Sequence, residues 1–170
     1  VILATGASYR SLPLDRWADF EGAGIYYAAT PLEAKQVAGD PVVVVGGANS
    51  AGQAALYLAA QSCEVHLVVR GRDLGAGMSA YLVDRLVEDG RVTIHVSSEV
   101  TGIRGTVALD QVTLSTGAEI DCAGMFCFIG AEPATDWLTD IATDDRGFIV
   151  TGTDVPLADA AACLAKHGRD

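Results

Sequence analysis

Hydrophobic residues change their spacing several times along this chain, and each change marks an element. Residues 41–45 (PVVVV) are continuously apolar and β-branched, as in a strand buried on both faces of a parallel sheet. The next apolar positions, Ala51, Ala54, Ala55, Leu58 and Ala59, recur at helical spacing and predict a helix reaching Gln61, capped by Asn49 or Ser50. Its apolar face is made of small side chains, which let a helix lie close against a sheet. Residues 65–69 predict a second strand and residues 70–75 (RGRDLG) a turn. A second helix is expected over 78–87, with Met78, Leu82, Val83 and Leu86 on one face, and a third strand over 92–96.

That strand–helix–strand–helix–strand order is half of a doubly wound nucleotide-binding unit. Helical spacing then stops. Residues 99–103, 107–114 and 118–121 alternate weakly, and Ser115-Thr116-Gly117 supplies a turn between the last two, which predicts an antiparallel meander. Residues 125–129 (MFCFI) return as a buried strand ending at Gly130, and residues 147–151 predict one more short strand. Ahead of the repeat, residues 1–4 (VILA) read as a buried strand, SLPLDRWADFEGAG as loop and residues 25–29 (IYYAA) as another short apolar run. A brief helix is expected over 31–37, with Thr30 as N-cap and Pro31 in its first turn. The expected fold class is α/β, a Rossmann-like three-layer arrangement around a parallel sheet with an inserted antiparallel β-meander.

Composition narrows the function classes. With 50% hydrophobic residues in 170 and a mean hydropathy of +0.30, the chain has material for a real core. No apolar run approaches the roughly 20 residues that span a bilayer. A net charge of −11 opposes unspecific attraction to nucleic acid or anionic membranes, so neither is an expected partner. Cys63, Cys122, Cys127 and Cys163 are scattered, without a C-x-x-C, so the expectation is buried thiols and neither a metal centre nor a disulfide framework. No charged segment followed by a long apolar stretch opens the chain, and a cytoplasmic location is expected.

The chemistry centres on the turn after residues 41–45. Gly46, Gly47, Ala48, Asn49, Ser50 and Ala51 form a G-x-A-x-x-A pattern, a variant of the glycine turn that brings a pyrophosphate onto the free N–H groups of a helix. At the end of the second strand, where NAD-preferring folds carry an acid, stands Arg70, with Arg72 close behind. Guanidinium groups there would pair with a 2′-phosphate, which favours NADPH as the dinucleotide. Two other readings of the turn remain open. Ser50 in A-N-S-A-G differs by one small residue from a hydrolase nucleophile elbow, although no H-G-G-G loop exists and the only late histidine is His167. The turn could also be a plain strand-to-helix connection. Tyr81-x-x-x-Arg85 does not supply the lysine of a Tyr-x-x-x-Lys pair, and Thr143 to Gly147 reads as a solvated turn rather than a metal loop.

ATGASYRSLP, EGAGIYYAAT, VVVVGGANSAGQAALYLA, VHLVVR, FCFIGAEPATDWL and DDRGFIVTG, in this order and spacing, resemble the pyridine-nucleotide domain of the thioredoxin-reductase-like flavoproteins over about residues 1–152. Tyr26 to Thr30 and Met78-Ser79-x-Tyr81-Leu82 look most like a bacterial branch often joined to a cyclic-nucleotide-binding domain. The resemblance implies electron flow from NADPH to FAD and on to a disulfide. It also implies a remnant of the flavin domain or hinge at 1–24, an NAD(P)H-binding domain at 25–151 and an unassigned tail at 152–170. By the same resemblance, residues 46–51 hold the pyrophosphate, Arg70 the 2′-phosphate, and Ile129 and Gly130 flank the nicotinamide.

The chain departs from the family pattern at several points. Ala28-Ala29-Thr30-Pro31 stands where the family carries Cys-Ala-Thr-Cys, so no redox dithiol lies in this segment, and the resemblance assigns no catalytic residue. Gly71 and Gly75 stand where the family has further basic residues. Neither the flavin fingerprint nor the late Gly-Asp segment of the flavin site is found, so FAD is expected only in a complete family member. The expectation is a dinucleotide-binding domain inactive by itself, with a flavin-domain half or a redox protein as partner. An NADP(H)-responsive interaction module is the alternative from another class.

Overall fold

The computed structural model describes residues 2–139 and 141–155. In chain order its elements are β1 (Ala7–Tyr9), α1 (Trp17–Phe20), β2 (Ile25–Tyr26), α2 (Pro31–Gln36), β3 (Pro41–Val45), α3 (Asn49–Ala60), β4 (Glu64–Val68), α4 (Ala80–Glu88), β5 (Val92–His95), β6 (Val100–Gly105), β7 (Leu109–Leu114), β8 (Glu119–Asp121), β9 (Gly124–Cys127) and β10 (Ala131–Pro133), followed by a 3-10 turn at Gly152–Asp154. They fall into two compact units, Ser11–Ile129 and Val1–Arg10 with Gly130–Asp170.

In the unit Ser11–Ile129, five parallel strands line up in the order β2-β9-β3-β4-β5. β3 lies at the centre because all four of its valines can be buried, each 0–7% exposed. Burying a valine contributes roughly 1.5–3 kcal/mol, which offsets roughly 1–2 kcal/mol of backbone entropy per residue once other elements cover both faces. Alternate side chains divide the sheet into two faces. Val42, Val44, Val65, Leu67 and Phe126 pack with Ala51, Ala55 and Leu58 of α3 and Leu82 and Leu86 of α4. Val43, Val45, Val68, Met125 and Cys127 pack with Val100, Leu109, Val112, Leu114 and Ile120 of the three-stranded meander β6-β7-β8. Helices, parallel sheet and meander thus make three layers, the expected α/β fold.

Three expectations are corrected. Residues 2–4 form no strand, and Ile2 is 92% exposed. The strand lies later, at β1, where β10 offers an antiparallel edge. The excursion after it is not all loop. α1 buries Trp17 and Phe20, with Arg16 in the left-handed region at φ 64° and its guanidinium 4.8 Å from the Phe20 ring centroid. Residues 147–151 form no strand beyond a single bridge between Thr143 and Ile149, because Asp144 draws the Arg146 and Phe148 amides into a turn, each at 2.9 Å. Residues 156–170, with Cys163 and His167, lie outside the described residues.

The unit Val1–Arg10 with Gly130–Asp170 is built on the β1–β10 ladder, which the Arg10 amide extends by donating to the Gly130 carbonyl at 3.0 Å. Among its described residues no hydrophobic side chain is buried, while Tyr9, Trp137 and Phe148 are more than half exposed. A cleft of about 1000 Å³ is lined by Arg10, Glu132, Trp137, Arg146 and Phe148, among others. Among the described residues no helix is long and apolar enough to cross a membrane.

Candidate functional site

β3, β4 and β9 run parallel and in register, Val45 beside Val68 on one side and Cys127 on the other, so their carboxyl ends share one edge. The glycine turn leaves β3 at that edge. The Gly46 amide still donates to the Val68 carbonyl at 3.0 Å, but its φ is +148° and a Cβ would stand 2.6 Å from the Phe128 carbonyl oxygen. Only glycine fits there.

Ala48 then takes the extended backbone of an N-cap, without any side-chain cap. Asn49 and Ser50 lie one and two residues inside α3, which corrects the expectation that one of them caps it. The first helical hydrogen bond runs from the Gly52 amide to the Ala48 carbonyl. The amides of Asn49, Ser50 and Ala51 therefore have no acceptor within the helix, and the first turn carries no acid. Ala48, Asn49 and Ser50 are exposed while Ala51 is buried against the sheet. The result is an exposed, uncapped start of a 12-residue helix, with the positive end of its dipole at the turn.

Arg70 and Arg72 follow β4 at the same edge. Arg70 is highly exposed, its Nε 4.0 Å from a Glu99 carboxylate oxygen. Such a surface pair holds little energy, so the guanidinium can change partner. Arg72 is exposed and forms no ion pair among the described residues. Ile129 is half-buried against the meander-side core, and Gly130, exposed, turns with φ +105°.

Sequence reasoning missed how the arginine loop is fastened to the turn. The Ser79 amide donates to Asn49 Oδ1 at 2.8 Å. A Cβ on Gly77 would stand 2.7 Å from the Gly47 carbonyl oxygen, and one on Gly52 would stand 2.6 Å from Met78 Sδ. Met78 was expected inside the second helix, but α4 begins at Ala80, and Met78 reaches the core from the loop. The signal available in the sequence was the spacing in Gly75-Ala76-Gly77-Met78, two glycines ahead of a large apolar residue.

Other candidates are engaged elsewhere. Where the dithiol would lie, Thr30 and Glu33 form a capping box. The Leu32 amide donates to the Thr30 hydroxyl oxygen at 3.3 Å and the Thr30 amide to Glu33 at 3.1 Å, while the Thr30 hydroxyl also donates to the Glu33 carboxylate. Burial pushes the Cys122 thiol up to about 12 and Cys127 to about 11, and raises Cys63, whose Sγ donates to the Val37 carbonyl. None of these three is a thiolate near neutral pH. His66 Nδ1 and His95 Nε2 lie 3.0 Å apart, with ring centroids at 5.3 Å. The two facing nitrogens are within hydrogen-bond distance, with the donor set by the tautomer. His66 stands beside Val43 and His95 beside Val68 on the meander face, whereas α3 with Ser50 packs on the opposite face. Neither imidazole can serve as a base for Ser50.

The parallel sheet, the exposed helix start after a glycine turn and the meander layer define a Rossmann-like α/β protein. The family model "Pyridine nucleotide-disulphide oxidoreductase" matches residues 1–156, and the chain belongs to that family. It is similar to the thioredoxin reductase of Escherichia coli O157:H7, 33% identical over 98% of this chain and 57% of that protein. It is also similar to NADPH-dependent thioredoxin reductase 3 of Arabidopsis thaliana, 30% identical over 88% of this chain and 30% of that one. The crystal structure of Lactococcus lactis thioredoxin reductase shares its fold with a TM-score of 0.76 at 24% identity, over 87% of this chain and 50% of that one. The chain spans about half the length of the curated thioredoxin reductases it matches.

Proposed function

We propose that this chain is the NADPH-binding domain of a thioredoxin-reductase-like flavoprotein, holding the reductant whose hydride passes to an FAD. The observation that carries the reading is the exposed, uncapped start of α3 after Gly46–Gly47, at the same sheet edge as Arg70 and Arg72. In this assignment the amides of Asn49, Ser50 and Ala51 receive the pyrophosphate, with Gly46, Gly47 and Ala48 shaping the turn. Arg70, assisted by Arg72, receives the 2′-phosphate by charge-assisted hydrogen bonds. Ile129 and Gly130, following β9, flank the nicotinamide. The family relationship and the NADPH dependence in the name of the Arabidopsis relative support the choice of dinucleotide.

FAD supplies the hydride acceptor when bound, and this chain's residues contribute the binding and orientation of the nucleotide. With Thr30 and Pro31 starting a helix where the family has thiols, and with Cys63, Cys122 and Cys127 buried, the described residues offer no disulfide relay. The final acceptor is therefore assigned to another group or protein, and the chain alone is assigned no turnover. The unit that exposes Tyr9, Trp137 and Phe148 is the surface proposed to meet a flavin-domain half. Calorimetric titration tests the reading. NADPH should bind at least about tenfold more tightly than NADH, a difference of about 1.4 kcal/mol, and absence of binding by both would refute it.

A further inference from the structure

The loop that carries Arg70 and Arg72 is fixed at its start by the turn that follows β5. The Ser98 amide donates to the Val69 carbonyl at 3.1 Å and the Ser97 amide to the Gly71 carbonyl at 2.8 Å. Inside the loop, the Gly77 and Met78 amides return to the Leu74 carbonyl and the Ala76 amide to Asp73 Oδ1. Its far end meets the glycine turn. Gly77 lies against the Gly47 carbonyl, Met78 covers Gly52, and one directional bond, Ser79 amide to Asn49 Oδ1, sets the register between them.

Resting on the NADPH reading above, we infer that Asn49 is a positioning residue for dinucleotide selection. Its amide N–H faces the pyrophosphate site, while its side chain is committed to the loop and holds the arginines in register with the turn. Two separately encoded parts must be placed together if one ligand is to touch both. The pyrophosphate belongs to NADPH and NADH alike, whereas only NADPH carries the group that the arginines recognise. A residue acting through the loop must therefore change the preference between the nucleotides, and a residue touching pyrophosphate must change both affinities equally.

The experiment is calorimetric titration of the whole chain and its variants with NADPH and NADH, together with hydrogen exchange at the Ser79 amide. In Asn49→Ala the NADPH-over-NADH preference should fall about three- to tenfold, the range that one lost hydrogen bond supports. NADH affinity should move by less than about twofold, since the main-chain amides of the turn remain. Ser79 exchange should accelerate. Ser79→Pro removes the same bond from the loop side without touching the turn. Ser79 has φ −65°, which proline adopts, and the same fall in preference is expected. Asn49→Asp keeps an acceptor for the Ser79 amide and adds a negative charge at the start of α3, close to the shared pyrophosphate. It should restore the preference and the protection while weakening both nucleotides alike. Equal loss of both nucleotides in Asn49→Ala, or an unchanged preference in either bond-deleting variant, overturns this inference and leaves the NADPH reading standing. A wild-type chain that binds neither nucleotide, or does not prefer NADPH, overturns both.

Discussion

Gly46 shows how little freedom single residues have at the carboxyl edge of the sheet. Its φ of +148° and the Phe128 carbonyl 2.6 Å from a would-be Cβ belong to the backbone, so no side-chain rotation relieves a substitution. Gly46→Ala should cost about 1–3 kcal/mol, read as a lower urea midpoint. The cysteines make the opposite case, reactive groups kept silent by their surroundings. With thiols pushed up to about 12 and 11, Cys122 and Cys127 should not react with an aromatic disulfide reagent at pH 8, and neither should Cys63. In a Cys163→Ser background, native protein should show no fast thiol and urea should release three. A fast thiol in the native state would contradict this burial.

At the scale of elements, β4 and β5 are joined through the His66–His95 contact as well as their ladder. Burial lowers both imidazoles from their ordinary value. Glu64, 3.9 Å from His66, opposes that effect, and for His95 the charge of a protonated His66 adds to it. A histidine held below its ordinary value binds its proton more readily in the unfolded chain, so stability rises with pH through this range. The contribution is complete above about pH 6.5 and is lost as pH falls below that value. The urea midpoint should therefore drop between about pH 6.5 and pH 5, and His66→Phe with His95→Phe should flatten that drop. The elements carrying long, uniform patterns were legible in the sequence. The sequence predicts β3 at its observed bounds Pro41–Val45 and the meander in its observed place, while the arginine loop runs on to Ser79, past the predicted turn at 70–75 and into the predicted helix. What escaped is tertiary in origin. An apolar run at 1–4 says nothing of which edge accepts a strand, α1 shows only Trp17 and Phe20 as its signal, and the Asn49–Ser79 bond joins residues 30 apart.

For the whole molecule, the distribution of burial matters more than the number of elements. Both hydrophobic clusters, from Leu12 to Ile129, lie wholly within Ser11–Ile129. The other unit buries no hydrophobic side chain among its described residues. Stability should be unequal along the chain, with opening cheapest where apolar burial is least. Brief trypsin treatment is expected to cut at Arg10 and Arg146 first and to leave a resistant piece covering most of 11–129. Early cleavage at Arg85 or Arg91 would show that the core does not protect that unit. The bond from the Arg10 amide to the Gly130 carbonyl gives this partition a further meaning. The resistant piece departs from the strand pair β1–β10 and returns to it at two residues already hydrogen-bonded to each other. In sequence, one unit is thus inserted between two paired strands of the other. A chain deleted of 11–129 could be closed by a short turn, and the excised segment could be transplanted into another protein's hairpin with its two ends already side by side.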